Sequence, residues 1–260
     1  MEFQKISEAG AAHPGHRIIL YGPGGIGKTT LAAHAPGPVA FFDLDKSLPI
    51  LAPKLAELRV GIANGGAGDS WDGLLNGLDE CLAIGPDKIK TIVIDSATRA
   101  EELATIWTVV NIKTEKGNYI RRIEDYGYGK GYQHIYDTYL NLIAALDRHV
   151  ALGRHVIFTA HDCTVNVPNP TGDDWLQYQP RLQSPNSGKA SIRLRLREWA
   201  DHLLCVLYDV DVKSGKGRGG GTRTVWPMET PSAMAKSRTL TEPLAYADNG
   251  AEKIWKEVIG

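Results

Sequence analysis

The sequence has few of the features that mark secreted, membrane or disulfide-rich proteins. Only three of its 260 residues are cysteine, and Cys81, Cys163 and Cys205 form no C-x-x-C pair, so neither a disulfide framework nor a zinc site is indicated. No apolar run approaches the roughly 18 residues that a membrane-spanning helix needs, and the N-terminus lacks the basic-then-apolar pattern of a signal peptide. We therefore expect a cytoplasmic protein without a membrane partner, whose cysteines are core or loop residues.

An excess of charge of either sign is also missing. Lys and Arg total 29 against 30 Asp and Glu, which gives a formal net charge of −1, so binding of a polyanion would depend on local basic segments. The apolar share of 43% and the charged share of 23% argue against a mostly disordered chain. We predict a single domain over 1–260, with an arm at 1–15, a core at 16–210, and a hairpin and final helix at 211–260.

Short apolar segments alternate with helical patterns through the first two thirds of the chain. Strands are predicted at 17–21, 38–43, 91–95, 155–160 and 202–210, and helices at 71–84, 97–111 and 133–152. This alternation predicts an α/β fold with a mostly parallel central sheet flanked by helices. Ile192–Arg197 fits both a strand and a helix, and we favour a helix. The Gly-rich, basic segment Lys213–Arg223 predicts a hairpin tip, and a last helix follows from about Ala251.

A phosphate-binding motif follows the first predicted strand. Residues 22–29, Gly-Pro-Gly-Gly-Ile-Gly-Lys-Thr, match G-x-x-x-x-G-K-[ST] and lead into a helical segment, which is the context that a P-loop requires. Backbone N–H groups and the helix N-terminus would bind phosphate oxygens, Lys28 would reach the β- and γ-phosphates, and Thr29 would bind Mg²⁺. ATP and Mg²⁺ are thus the predicted cofactors. The predicted nucleotide-binding residues are Gly22, Pro23, Gly24, Gly25, Ile26, Gly27, Lys28, Thr29 and Thr30.

Polar side chains follow three further predicted strands. Asp95 lies where ligands of open α/β sheets bind, and it is a candidate Mg²⁺ ligand, or else a cap for the next helix. Its neighbour Ser96 replaces the Glu that often activates water, so the base must come from another strand end. Of Asp43 and Asp45 we favour Asp45, which would project further over the phosphates; both could instead be solvated strand ends. His161 is a candidate γ-phosphate sensor, or a surface or core histidine.

Two long polar segments are candidates for contact with single-stranded DNA. Residues 112–132 interleave basic residues with tyrosines, on which bases could stack; alternatively, this segment packs on a neighbouring subunit. Residues 162–188 form a predicted long loop that is either functional or passive and flexible. The predicted DNA-binding residues are Arg121, Arg122, Tyr126, Tyr128, Lys130, Tyr132, Trp175, Arg181 and Lys189.

The order of these features resembles the RecA-type recombinase core. Asp43-Leu44-Asp45 resembles the family's catalytic Asp-x-Glu, with Asp45 in place of the Glu, and His161 occupies the place of its phosphate sensor. Ala235-Lys236-Ser237-Arg238 resembles the basic motif by which a subunit reaches its neighbour's ATP site. The resemblance implies ATP bound between subunits of a homo-oligomer, a filament or a ring, with Lys236 or Arg238 as a catalytic cation supplied in trans. Both residues could instead be ordinary surface charges.

The short N-terminus, the Gly-Pro-Gly-Gly P-loop and the late Ala-Lys-x-Arg resemble the small RecA-like ATPases of bacteriophages. The resemblance extends over roughly 15–240. It implies an ATPase stimulated by single-stranded DNA that promotes single-strand annealing or homologous recombination in a bacterial or phage-infected cell, with a single-strand DNA-binding protein as a further partner. The alternatives are a RecA-type ring helicase motor and a nucleotide-gated assembly or regulatory protein that does not bind DNA.

Overall fold

A mostly parallel β-sheet forms the centre of the structure. The computed structural model describes residues 15–63, 66–186, 189–213 and 216–260, so the predicted arm at 1–15 lies outside the described residues apart from Gly15. The strands are β1 (Arg17–Tyr21), β2 (Val39–Asp43), β3 (Val60–Ile62), β4 (Thr91–Asp95), β5 (His155–Ala160), β6 (Asp162–Val167), β7 (Trp175–Pro180), β8 (His202–Lys213), β9 (Lys216–Trp226), β10 (Lys236–Ser237) and β11 (Leu244–Ala245). The pair β6 and β7 is separate from the central sheet.

Helices cover both faces of this sheet. Successive strand residues point to opposite faces, so Ile18 and Ile19 of β1 belong to different groups of buried apolar residues. One group includes residues of α3, α4, α5 and α6, and the other includes residues of α1, α2 and α7. The helices are α1 (Lys28–Ala33), α2 (Leu48–Leu55), α3 (Trp71–Leu82), α4 (Ala97–Asn111), α5 (Lys130–Ala151), α6 (Ile192–Trp199) and α7 (Ala251–Ile259).

The strand order confirms the predicted fold class, a RecA-type P-loop core with a C-terminal hairpin. The order is β11-β9-β8-β1-β5-β4-β2-β3, with β10 paired to β8. β1 is parallel to β5 and β8, and β4 is parallel to β2 and β5. Their carboxyl ends therefore meet at one edge, which brings the residues after β1, β2, β4 and β5 together. The hairpin consists of β8 and β9, which are antiparallel.

Local chemistry accounts for most agreements and differences with the predicted elements. The favoured helix at Ile192–Arg197 is confirmed as α6, in which the Ser191 side chain accepts a hydrogen bond from Leu194 N at the N-terminus. β3 and α2 were not predicted, because β3 has only three residues and α2 contains Pro53.

Cys81 and Cys205 are buried and Cys163 is half-buried, and all three are free. The described helices include none long and apolar enough to span a bilayer.

The prediction of a long loop over residues 162–188 is wrong for residues 162–167 and 175–180, which form β6 and β7. β6 and β7 pair antiparallel in full register from Asp162 with Pro180 to Val167 with Trp175. The polar residues of these strands obscure the pattern, since buried Gln177 and Gln179 occupy positions where an apolar residue would signal a strand. The two Gln side chains are hydrogen-bonded to each other at 3.0 Å, which makes their burial tolerable.

Tyr21, at the end of β1, links the sheet to this β6–β7 hairpin. Its buried hydroxyl lies 2.6 Å from the carbonyl oxygen of Met234 and 2.9 Å from that of Tyr178. Two chain segments remote in sequence thus share one donor, directly before the P-loop.

We expect Tyr21→Phe to lower the free energy of unfolding by about 1–3 kcal/mol, because the carbonyl groups of Met234 and Tyr178 lose the hydroxyl that donates to both. Tyr139→Phe is the matched control: that ring is equally buried, but its hydroxyl lies 3.5 Å from the nearest acceptor, Ala97 O. Urea denaturation of both variants measures the difference. Equal losses in the two variants would contradict the assignment.

Candidate nucleotide-binding site

The P-loop is held between β1 and the neighbouring strand β8. Gly22 has φ +153°, and a Cβ atom there would lie 2.1 Å from the carbonyl oxygen of Val206, so only glycine fits this close approach. The Lys28 ammonium donates to the carbonyl oxygens of Gly22 at 2.7 Å and Pro23 at 2.8 Å. Burial lowers the pKa of Lys28, and this effect is opposed by nearby carboxylates that include Asp95. The loop thus surrounds one buried cation.

The two predicted magnesium ligands are brought together. The Thr29 hydroxyl donates to Asp95 Oδ2 at 2.8 Å, and Thr159 of β5 donates to Asp95 Oδ1. Burial raises the pKa of Asp95, and the hydrogen bonds from Thr159 and Thr29 counteract this rise. Hydroxyl and carboxylate oxygens suit Mg²⁺. Because the described residues contain no group of three or more His, Cys, Asp or Glu side chains able to hold a metal ion, phosphate oxygens and water would supply the other ligands.

The two aspartates after β2 occupy different environments. Asp43 is buried, and its carboxylate accepts hydrogen bonds from the backbone N–H groups of Ser47 at 2.9 Å and Leu48 at 3.0 Å. Asp43 therefore caps the N-terminus of α2. Asp45 lies instead in the wall of the cleft, where its Oδ2 atom is 3.8 Å from Nε2 of His161. This geometry favours Asp45 as the base, an assignment that stays a prediction.

A cleft of about 380 Å³ joins these groups at the carboxyl edge of the sheet. Sequence reasoning gave no site role to five of its lining residues, which are Ser47, Ile50, Leu51, Ser96 and Thr159. Thr159 gave a weak signal, as a hydroxyl near the end of an apolar strand. Ser47 precedes a Leu-Pro pair that begins α2. Ile50 is strongly exposed beside the P-loop, and its place in a helix after β2 could not be predicted because α2 itself was not.

His161 connects the cleft to the β6–β7 hairpin. Its backbone N–H donates to the Thr98 hydroxyl at 3.2 Å, and its carbonyl oxygen accepts from Arg181 N at 2.8 Å. Burial, and then the charge of Lys28, lower the pKa of His161, while Asp45 opposes both effects. The neutral ring is therefore favoured. The predicted sensor lies at the point where both ends of the hairpin join the core.

Beyond the hairpin, Gln183 joins the two predicted DNA-binding segments. Its backbone N–H donates to the Glu101 carboxylate at 2.8 Å, and its side-chain amide donates to Tyr132 O at 2.8 Å. Burial raises the pKa of Glu101 to about 7, although the Gln183 hydrogen bond and then the charge of Arg193 act against this. These residues border a cleft of about 600 Å³ between the two segments.

The predicted DNA-binding residues differ in how accessible they are. Tyr126 is an anchor of the fold, because its hydroxyl donates to Ile112 O at 2.6 Å and its ring packs on His134. Lys130 pairs with Glu115 at 2.6 Å. Trp175 is half-buried, and its indole N–H has no hydrogen-bond partner among the described residues. The exposed members of the set are Arg121, Arg122, Tyr128, Lys130, Tyr132, Arg181 and Lys189. Their contact with DNA stays a prediction.

Lys236 and Arg238 lie far from their own P-loop. β10 pairs with the first residues of β8, at the amino edge of the sheet, opposite the nucleotide cleft. The Lys236 ammonium donates to the last carbonyl groups of α6 and just beyond it, those of Arg197, Glu198 and Ala200, at 3.1, 3.2 and 2.6 Å. Arg238 pairs with Asp201 at 2.7 Å, and its side chain is 61% exposed. A catalytic role for either residue would require a second protomer and stays a prediction.

One protein family and several solved structures are similar to this chain. A family model described as an AAA domain matches residues 15–239. A KaiC-like protein from Pyrococcus horikoshii is similar in structure, with 16% identity and a TM-score of 0.46 over 92% of this chain and 88% of that chain. The flagellar accessory protein FlaH from Methanocaldococcus jannaschii has 15% identity and a TM-score of 0.37 over 82% and 77%. No curated protein matches.

The raised pKa of Glu101 predicts a pH-dependent contribution to stability. Between its ordinary pKa and about 7, the folded state keeps a proton that the unfolded state has lost, so stability falls as pH rises through this range. Gln does not titrate, so we expect Glu101→Gln to gain stability relative to the parent between pH 4.5 and 8, by about 1–3 kcal/mol.

Chemical denaturation at several pH values measures this gain. Glu102→Gln is the control, because Glu102 is adjacent but more exposed, with a side chain that is 55% exposed. A stability difference between Glu101→Gln and the parent that does not vary with pH would refute the prediction.

Proposed function

The chain belongs to the AAA domain family, and we propose that it is a Mg²⁺-dependent ATPase that binds single-stranded DNA as a homo-oligomer and promotes annealing or homologous recombination. Its RecA-like P-loop core supplies nucleotide binding. The observation that carries the rest is the position of His161, whose ring faces Asp45 in the cleft while its backbone holds the β6–β7 hairpin.

Different residues of the cleft have different roles in ATP hydrolysis. The P-loop N–H groups and Lys28 bind the phosphates. Thr29 and Asp95 would hold Mg²⁺, which neutralises phosphate charge when bound. Asp45 accepts the proton of the attacking water as that water forms its bond to the γ-phosphorus and the bond to the leaving ADP oxygen breaks. His161, neutral and 3.8 Å from Asp45, hydrogen-bonds the γ-phosphate and loses this partner after hydrolysis.

Loss of the γ-phosphate then acts on the proposed DNA-binding surface. A shift of His161 moves Arg181, which is hydrogen-bonded to its carbonyl group, and with it Gln183 and the start of α5. The exposed basic and tyrosine side chains of both segments offer phosphate contacts and rings for base stacking. Nucleotide state and affinity for single-stranded DNA are therefore coupled through the hydrogen bonds that His161 O, Gln183 N and the Gln183 side-chain amide form.

Charge balance in the cleft supports assembly into oligomers. Among the described residues that line it, Lys28 is the only Lys or Arg, whereas charge develops on the transferred phosphoryl group in the transition state. A cation from a second protomer would supply the missing charge. Arg238 suits this role better than Lys236, because the Lys236 ammonium is already bound to three carbonyl groups and Arg238 is mostly exposed.

Lys28→Ala tests the ATPase and its coupling to DNA together. We expect the parent to hydrolyse ATP in the presence of Mg²⁺ and to turn over severalfold faster with oligo(dT), and we expect Lys28→Ala to lose both activities because the phosphates lose their buried cation. Lys46→Ala is the control: Lys46 is an exposed lysine just after Asp45, paired with Asp69. Phosphate release measures turnover.

Different results would favour the other functions. Turnover that oligo(dT) leaves unchanged, together with no gel shift of oligo(dT) at low salt, would contradict DNA binding and favour the nucleotide-gated assembly or regulatory protein. Directional strand displacement would favour a ring helicase motor.

Asp45→Asn and Asp43→Asn separate the proposed base from the helix cap. We expect Asp45→Asn to lower kcat by at least about 100-fold with little change in KM, because the amide cannot accept the proton. Asp43→Asn should instead lower stability by up to about 1 kcal/mol and leave kcat within a few fold, because its carboxylate accepts N–H groups of α2. Steady-state kinetics and thermal melts measure both, and the reverse pattern would exchange the two roles.

A further inference from the structure

Arg223 and Tyr246, in the C-terminal part of the chain, form hydrogen bonds to the P-loop from the side that faces away from the nucleotide cleft. Arg223 Nη1 on β9 donates to the carbonyl oxygen of Ile26 at 2.9 Å, and the Tyr246 hydroxyl donates to the carbonyl oxygen of Gly27 at 3.0 Å. The guanidinium group lies over the Tyr246 ring, 4.1 Å from its centre. Neither residue lines the nucleotide cleft, so both act from behind the loop.

The geometry of the peptide bond gives these contacts a consequence for phosphate binding. In a trans peptide unit, the C=O and N–H groups are coplanar and point in opposite directions. A carbonyl oxygen of Ile26 held outward by Arg223 therefore turns the N–H group of Gly27 inward. The Gly27 carbonyl already accepts the first hydrogen bond of α1, from Leu31 N at 2.8 Å. The Tyr246 hydroxyl is a second donor to this oxygen and helps to hold the orientation in which the N–H group of Lys28 points inward. These N–H groups belong to the part of a P-loop that binds phosphate oxygens.

We propose that Arg223 and Tyr246 are positioning residues of the nucleotide site, which preorganise the P-loop for a nucleoside di- or triphosphate by fixing two of its peptide planes. This inference rests on the proposed nucleotide-binding function and extends it to residues that never touch the nucleotide. The conformational free-energy cost of ordering the loop is then met when the chain folds. It therefore does not weaken binding of the nucleotide.

The surroundings of the pair are rigid enough for this role. Tyr246 is 3% exposed, and the Arg223 side chain is 14% exposed. Backbone pairing fixes the two residues relative to each other, because Tyr246 N donates to Arg223 O at 2.8 Å beside the β9–β11 ladder. Arg223 is oriented further by an ion pair with the exposed Asp248. Burial raises the pKa of Tyr246, so the hydroxyl remains protonated and can donate.

Gly27 shows how closely the pair approaches the loop. Its φ of +102° already favours glycine, and a Cβ atom there would lie 2.7 Å from Arg223 Nη1 and 3.1 Å from the Tyr246 hydroxyl. A side chain at this position would therefore displace the two donors even if the backbone tolerated it. Gly27 is therefore required for two reasons. Its φ angle favours glycine, and Arg223 and Tyr246 leave no room for a Cβ atom.

The experiment measures binding of Mg·ADP to the full chain by isothermal titration calorimetry, with melting in the absence of nucleotide as a measure of folding. We expect Tyr246→Phe, which keeps the stacked ring but loses the hydroxyl, to raise Kd by about 2- to 10-fold. Arg223→Met should raise it by about 10- to 100-fold, since hydrogen bonds from charged donors are stronger. Arg223→Lys, which retains a donor, should recover part of the loss.

Trp255→Phe is the matched control for structural effects. Trp255 Nε1 donates to Leu31 O at 2.8 Å, so this variant also loses one hydrogen bond from the C-terminal part to α1, but it leaves the P-loop carbonyl groups paired. We expect it to melt at a lower temperature with Kd unchanged. In ATP hydrolysis, the Arg223 and Tyr246 variants should raise KM more than they lower kcat, as loss of uniform phosphate binding requires.

Two outcomes would overturn the inference. One is that Tyr246→Phe and Arg223→Met bind Mg·ADP as the parent does. The other is that Trp255→Phe weakens binding as much as they do, which would make the effect one of general stability. Failure of the proposed function looks different, because the parent itself would then bind no Mg·ADP and Lys28→Ala would change nothing.

Discussion

The burial of one carboxylate, that of Asp95, is the constraint on which the nucleotide site depends. It is 3% exposed, and an ionised group so placed must be hydrogen-bonded or it loses its charge. Its partners are the hydroxyl groups of Thr29 and Thr159, with Ser47 Oγ 3.3 Å away. These residues come from three different elements, the P-loop helix, the strand between β1 and β4, and the start of α2. The hydrogen bonds to the Asp95 carboxylate therefore fix α1, β5 and the start of α2 relative to the end of β4.

The same edge of the sheet positions His161 and the β6–β7 hairpin, which we propose respond to the nucleotide. β5 lies between β1 and β4, so the residue that follows it, His161, is close to both the P-loop and Asp95. The hairpin that starts there returns to His161 through Arg181 and continues to Gln183, which contacts α4 and the start of α5. The two segments proposed to bind DNA are far apart in sequence, yet Gln183 joins them directly. Strand order thus connects His161, the proposed sensor, to the segments proposed to bind DNA through a short series of hydrogen bonds.

Sequence reasoning predicted the placement of residues that are contiguous or that lie at the end of a strand, and their roles stay predictions. The P-loop is eight consecutive residues, and Asp95 and His161 follow apolar strands whose order along the chain implies a shared edge. It failed for the β6–β7 hairpin, where Gln177 and Gln179 are buried in place of apolar residues. The roles of Asp43 and Asp45 could not be separated either, because the helix that Asp43 caps contains a proline and was not predicted.

Local sequence patterns could not predict contacts between residues that are distant in sequence. Arg223 is 197 residues from Ile26, and Tyr246 is 219 residues from Gly27. No periodicity or motif connects such positions, and a basic residue after a glycine cluster reads as part of a solvated hairpin tip. Only the positions of β9 beside β8 and of β11 beside β9 reveal that these side chains reach the P-loop.

The placement of Tyr246 bears on where this protein can be shortened. The family match ends at residue 239, and a fragment cut at that boundary would keep the whole phosphate-binding motif, Asp95 and the catalytic candidates. It would lack Tyr246, which holds the Gly27 carbonyl, and Trp255, which packs the final helix on α1. If Tyr246 positions the P-loop as proposed, the smallest fragment that binds phosphate well would be longer than the segment that matches the family model.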